Sequence, residues 1–331
     1  MAASPPRWQT LVSNTQASLR GLAVVNRAVA WASGTGGVWL RTEDGGAHWR
    51  TGHPAGAERL DFRGVVAFSA RRAVLMSSGL GAASRIYTTR DGGQSWRRAW
   101  QASAPAAFLD GIAFWDGRRG LAIGDPVAGR FLVLATKDGG AHWRTEPAGL
   151  PPALANEGVF AASNSALALA PGGRAWFVTG GAAAARVFTS RDYGRHWRAA
   201  ALPLASGAAR GAFSIAVCGG GADLAVVGGD YQQPRQAEST AAFSRDGGRS
   251  WQAARVMPPD GYMSAVACVP GVRRELLALG PLGTDISHDG GRTWAHFAAA
   301  GGNALVFPPR ANRAFAAGAR GYLARLRRSA P

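Results

Sequence analysis

The sequence predicts an all-β fold: one closed propeller of seven four-stranded blades. Two observations carry that reading. A six-residue phrase, Asp-x-Gly-x-x-Trp, begins at Asp44, Asp91, Asp138, Asp192, Asp246 and Asp289, and Trp49, Trp96, Trp143, Trp197, Trp251 and Trp294 complete the copies. The intervals between successive Asp residues are 47, 47, 54, 54 and 43, and repetition at roughly 40–50 residues marks propellers and solenoids. The second observation is a complementary pair of leftovers. Residues 8–13 read as one isolated strand opening with Trp8, and the chain closes with a three-stranded unit that lacks the phrase.

Each copy reads as a hairpin turn with an anchor. A short Asp carboxylate accepts backbone N–H groups across a tight turn, and Gly takes conformations that other residues resist. Strand-like residues precede the turn, as at 38–42, 85–89 and 186–190. The Trp starts the returning strand and buries its ring between neighbouring sheets. Ahead of each turn the three remaining strands are expected at 22–25, 30–33 and 38–42; at 65–68, 73–76 and 85–89; at 112–115, 121–123 and 131–135; and at 159–162, 175–179 and 186–190. The fifth and sixth repeats place theirs at 213–217, 224–227 and 241–244, and at 264–268, 276–279 and 284–287. The last unit spans 303–328, with strands at 304–307, 314–317 and 322–326, and lacks a fourth. Residues 8–13 supply it, which closes the ring and removes exposed sheet edges. Residues 1–331 are therefore expected to form one domain.

The pattern Ser/Thr-x-Asp-x-Gly-x-x-Trp resembles the Asp-box, or BNR, repeat of sialidase-type propellers. Phrases at 18–22, 124–127, 160–163 and 228–231 are similar to single-domain bacterial propellers grouped with the photosystem II stability and assembly factor. The resemblance implies a box on the turn between third and fourth strands, and binding of a partner protein. One fold hosts many activities, so it speaks for fold more than for chemistry.

Composition adds bounds. Hydrophobic residues make up 47%, ample for a core, and 46 Gly suit many tight turns. The net charge is +17, and Lys137 is the only lysine among 37 basic residues. Such a balance suits polyanions, yet Ala, Gly, Pro and Arg rise together, as in a GC-rich genome. No basic run with interleaved aromatics supports specific nucleic-acid binding. Cys218 and Cys268 occupy equivalent places in adjacent repeats. Equivalent residues point the same way round a ring, so two buried free thiols are expected. No apolar run approaches the roughly 18 residues of a membrane span. The first eight residues lack the apolar stretch of a signal peptide. This implies a cytoplasmic protein if Met1 is the true start, and an exported one if a leader was trimmed.

In such a blade the box Asp residues lie on the rim away from the usual ligand mouth and are structural. His48, His142 and His196, four residues after their box Asp, read as solvated turn residues, and no metal or cofactor is expected. The informative comparison is the start of the innermost strand. One aligned slot there carries Arg20, Arg63, Asp110, Glu157, Phe213, Met263 and Asn303. These positions converge on the central channel, where two guanidiniums and two carboxylates are costly to desolvate. They either pair and plug the mouth, or bind a small ligand or peptide, or catalyse. Turns on the same rim add Asp125, Asp230, Tyr231, Arg85 and Arg186 as ligand-binding candidates. Sialidases of this fold use three arginines and an Arg-Ile-Pro phrase; Arg20 is followed by Gly-Leu, and the slot holds two arginines. A hydrolase would have to use Asp110 and Glu157 as its acid–base pair, although both are equally suited to pairing with Arg63. No dinucleotide-binding fingerprint, P-loop, His-Glu-x-x-His or nucleophile elbow is present. The expected function is a monomeric, non-enzymatic scaffold that engages a protein segment or small polar or glycan ligand at the channel mouth. The alternative is a sialidase-type glycoside hydrolase.

Overall fold

Alternating apolar and polar residues, punctuated by Gly-rich turns, fold into seven antiparallel sheets. A computed structural model describes residues 7–146, 149–254, 260–309, 311 and 313–327. The sheets are four-stranded, and six run in simple sequence order from the innermost strand outwards. In the seventh blade, Arg7–Leu11 forms the outer strand beside Leu323–Arg327, in register from Arg7 opposite Arg327 to Leu11 opposite Leu323. Trp8 Nε1 also donates to Thr284 Oγ1 of the sixth blade at 3.0 Å. The closure expected from the two leftovers is thus observed. Of the expected range 1–331, residues 1–6, 147, 148, 255–259, 310, 312 and 328–331 lie outside the described residues.

Both faces of every sheet are covered, so the core lies between blades. Leu19, Leu40 and Trp49 of the first blade pack with Phe315 and Leu323 of the seventh. Val74, Met76 and Ile86 of the second pack with Leu109, Ile112 and Trp143 of the third. Trp143 is 7% exposed and Trp294 2%, so these turn tryptophans seat their rings in inter-blade cores.

The six turns share one hydrogen-bond pattern. In the first, Thr42 Oγ1 donates to Asp44 Oδ1 at 2.8 Å, and the N–H groups of Gly46 and His48 donate to Thr42 Oγ1 and Asp44 Oδ1, both at 2.9 Å. Thr89, Thr136, Ser190, Ser244 and Ser287 repeat the hydroxyl contact with their own Asp. The His48 N–H, then its ring, hold the Asp44 carboxyl well below the usual range. The glycine after Asp44 has a φ of 72°, which favours Gly. In the fourth blade Tyr193 takes that place with a φ of 63°, and its ring packs on Trp115 and beneath Arg119.

Part of the arginine excess has a structural use. Arg41 reaches the next blade's turn, donating to Gly92 O at 2.8 Å. Arg72 donates to Gly139 O at 3.3 Å and Arg325 to Gly45 O at 2.8 Å, while Arg245 holds the carbonyls of Asp289 and Gly290. Each guanidinium satisfies carbonyls that a tight turn leaves unpaired, and each staples one blade to its neighbour.

Two expectations are corrected. Cys218 and Cys268 are not free thiols; they form a disulfide. Innermost strands crowd the axis, so the ends of Arg210–Cys218 and Ala265–Cys268 lie side by side with Cα atoms 5.9 Å apart, within disulfide reach. The direction in which equivalent side chains point matters less than this convergence. The innermost strand of the fourth blade is Leu167–Ala170, not 159–162. The preceding segment leaves the blade and enters the channel.

Candidate functional site

The inner strands begin with a shared irregularity. The first two strands slip register between Leu19 and Gly21, Phe62 and Gly64, Leu109 and Gly111, and Ala212 and Ser214. The residue inside each slip is Arg20, Arg63, Asp110 or Phe213. A bulge residue is unpaired by the ladder and is re-aimed, which turns these four toward the axis. In the fourth blade Leu167 stands opposite Phe177, itself opposite Phe188 four residues before the box Asp, as Ile112 stands opposite Ala122 and Ala122 opposite Leu134. Ser165 therefore occupies the slot there, and Glu157 lies eight residues ahead of it. In the sixth blade Ala265 starts the pairing, so Ser264 fills the slot and Met263 is buried one residue earlier. Asn303 keeps its place but turns to its neighbour, donating through Nδ2 to Leu19 O at 3.0 Å.

Residues 160–165 cross the channel and touch the blades around it. Arg20 Nη1 donates to Ala162 O and Arg63 Nη1 to Ala161 O, each at 3.3 Å. Asn164 donates to Ile112 O at 3.0 Å and accepts its N–H at 2.8 Å. Ser163 Oγ donates to Ser264 O at 2.6 Å, and Ser165 Oγ meets Ser214 Oγ at 2.7 Å. The channel is thus plugged by chain rather than by paired charges.

The slot charges divide into separate groups. Arg63 Nε pairs with Asp61 Oδ2 at 2.7 Å, not with Asp110 or Glu157. Arg20 has no ion-pair partner among the described residues. Burial, then repulsion from Arg63, lowers its affinity for its proton. Beside the two guanidiniums stands an aromatic wall. Phe160 and Phe213 stack at 4.0 Å, the Tyr262 ring meets Phe213 edge-on at 4.8 Å, and Tyr231, 48% exposed, stands 6.2 Å from both stacked rings. Burial pushes the Tyr262 phenol up, opposed by Arg20 and Arg63.

Glu157 and Arg186 form a closed pair. The buried carboxylate accepts from Arg186 Nε at 2.8 Å, Thr179 Oγ1 at 2.6 Å and Leu154 N–H at 2.8 Å, with a second contact from Arg186 Nη2. Asp110 lies with Asp125 instead. Burial, then the neighbouring Asp125, raises Asp110 well above the usual carboxylate range, and its Oδ2 has no hydrogen-bond partner. Burial pushes Asp125 up to about 6, against the 2.9 Å hydrogen bond from Val159 N–H. Asp230 caps its own turn, accepting the N–H of Gln232 at 2.9 Å, and Arg85 Nε donates to Ala82 O at 2.7 Å. Asp61, Tyr262 and the 160–165 plug were not anticipated. Residues 160–163 carried only a family likeness, and the other two gain meaning only beside Arg20 and Arg63.

No protein-family model and no curated protein matches the chain. Among solved structures, YCF48 bound to D1 peptide is 17% identical, with a TM-score of 0.69 over 98% of this chain and 97% of that one. The GH74 xyloglucanase from Xanthomonas campestris is 18% identical, with a TM-score of 0.62 over 97% of this chain and 53% of that one. Streptogramin B lyase is 13% identical, with a TM-score of 0.68 over 98% of both chains. The likeness is one of fold. The seven-bladed propeller implied by the Asp-box resemblance is the fold of this chain.

Proposed function

We propose that the chain is a non-enzymatic binding scaffold whose channel mouth takes an anionic protein segment. The carrying observation is Arg20, half-buried beside Arg63, with a backbone carbonyl as its hydrogen-bond partner and no carboxylate at ion-pair distance among the described residues. A guanidinium held that way is a ready receptor for a carboxylate, which it binds in fork geometry. Phe160, Phe213, Tyr231 and Tyr262 give apolar side chains of the same segment a surface, and aromatic residues with Arg dominate binding hot spots. The peptide bound by YCF48, a propeller of similar size, supports a protein partner. The hydrolase alternative is disfavoured because Glu157 is committed to Arg186, Thr179 and a backbone N–H, leaving Asp110 without its intended partner. The disulfide favours an exported protein, since such bridges persist in oxidising compartments.

A library of acidic and neutral peptides, read by fluorescence anisotropy, tests the reading. Acidic peptides should bind, with a salt-dependent affinity that Arg20→Ala and Arg63→Ala reduce. Arg20→Ala should leave the melting temperature unchanged or raised, because functional charges are commonly held at a cost to stability. Hydrolysis of an aryl glycoside panel without peptide binding would replace the scaffold reading with the enzyme one.

A further inference from the structure

The sixth blade breaks a rule that the other five box-bearing blades keep. Four residues before the box Asp, the third strand carries Leu40, Tyr87, Leu134, Phe188 and Ala242, all buried in the inter-blade cores. The sixth blade carries Asp285 there, with a side chain 2% exposed. Opposite these residues on the fourth strand stand Thr51, Arg98, Thr145, Ala199 and Ala253; opposite Asp285 stands His296. A buried carboxylate at an apolar position costs stability unless something compensates it.

The compensation within the chain is incomplete. Asp285 Oδ2 accepts the Asp260 N–H at 2.8 Å, whereas Oδ1 is buried and has no hydrogen-bond partner. His296 Nδ1 stands 3.5 Å from Asp285 Oδ1 and 4.0 Å from Asp260 Oδ2. One ligand atom from each of the three residues lies within 4.8 Å of the others. They line a cavity of about 340 Å³ together with Met263, Leu282 and Arg235. Separations of 3.5 and 4.0 Å are long for hydrogen bonds. They approach the roughly 3.4 Å edge of a tetrahedron with metal–ligand bonds near 2.0–2.1 Å.

We propose that Asp260, Asp285 and His296 form a binding site for a divalent transition-metal ion of the Zn²⁺ type. Carboxylate oxygens together with an imidazole suit Zn²⁺ and its neighbours better than Mg²⁺ or Ca²⁺, which favour all-oxygen shells. The Asp260 N–H on Oδ2 acts as the outer-shell contact that orients Asp285 and leaves Oδ1 to the metal. Three protein ligands leave a position open, and Arg235 on the cavity wall favours an anionic group or water there. The ion would tie the loop carrying Asp260 to the outer half of the sixth blade.

The test uses the untagged full chain, stripped with a chelator and titrated calorimetrically with Zn²⁺ alone. One tight equivalent is expected, together with a rise in melting temperature. Asp285→Asn and His296→Gln should weaken it beyond the roughly 10–100-fold that loss of an outer-shell partner causes. His142→Gln, at an exposed imidazole paired with its box Asp, should leave it intact. Asp285→Leu, matching the first and third blades, separates folding from binding. Its melting temperature under chelator should equal or exceed that of the wild type, with no response to Zn²⁺. A wild-type melt indifferent to Zn²⁺, or a response in Asp285→Leu and His296→Gln as large as that of the wild type, would overturn the site and leave a plain carboxylate–imidazole pair.

Discussion

Removing the Cys218–Cys268 bridge tests how far two inner strands depend on a covalent stitch. The bridged residues are 50 apart in sequence, and for a closed loop of that length the chain-entropy relation gives about 4 kcal/mol at 25 °C. Unfolding entropy of about 2.1 cal/mol/K per residue amounts to about 0.7 kcal/mol/K over 331 residues. The predicted fall in melting temperature for Cys218→Ala/Cys268→Ala is therefore about 6 °C. Alanine keeps the site apolar, which matters because both cysteines pack against the core between the fifth and sixth blades. Urea denaturation under non-reducing conditions should show the same loss, and reductant should bring the wild type to the variant's midpoint. Two thiols titrating in denatured, unreduced wild-type protein would refute the bridge. A double variant within about 1 °C of the wild type would refute the entropic magnitude.

Three further outcomes follow from the same contacts. Deleting residues 1–14 removes Arg7–Leu11 from its five-residue pairing and Trp8 from Thr284; light scattering should report aggregation, and an unchanged melt would remove the closure argument. Trp143→Ala should cost about 3–5 kcal/mol in chemical denaturation, the range for a large buried aromatic, and a loss within about 0.5 kcal/mol would mean that its ring is not part of the core. Asp125, pushed up from 3.8 to about 6, is bound to its proton more tightly folded than unfolded. Its contribution is therefore fully present below pH 3.8 and lost as pH rises through about 6. Melting temperature should fall across that window in the wild type and less in Asp125→Asn, which should be the more stable at pH 7; an identical pH profile for the two would contradict this.

The six turns were legible because their chemistry is local. Asp, Gly and a Ser or Thr two residues ahead of the Asp satisfy one another within a single hairpin, so Asp44 and Asp289 announce the same structure 245 residues apart. Ring closure was also legible, since Trp8 and the three-stranded last unit each lack what the other has. The slot was read correctly where a bulge keeps its spacing, at Arg20, Arg63, Asp110 and Phe213. It was misread where the spacing changes: Glu157 imitates a strand start, yet residues 160–165 carry the chain through the channel before pairing begins at Leu167. Tertiary structure alone decided which charges meet. Arg63 takes Asp61, Glu157 takes Arg186, Asp110 lies with Asp125, and Arg20 is left with a carbonyl. The same holds for Cys218 with Cys268, and for Asp260, Asp285 and His296. These partners are brought together by the convergence of strands on an axis and by packing across sheets, distances that no spacing along the chain encodes.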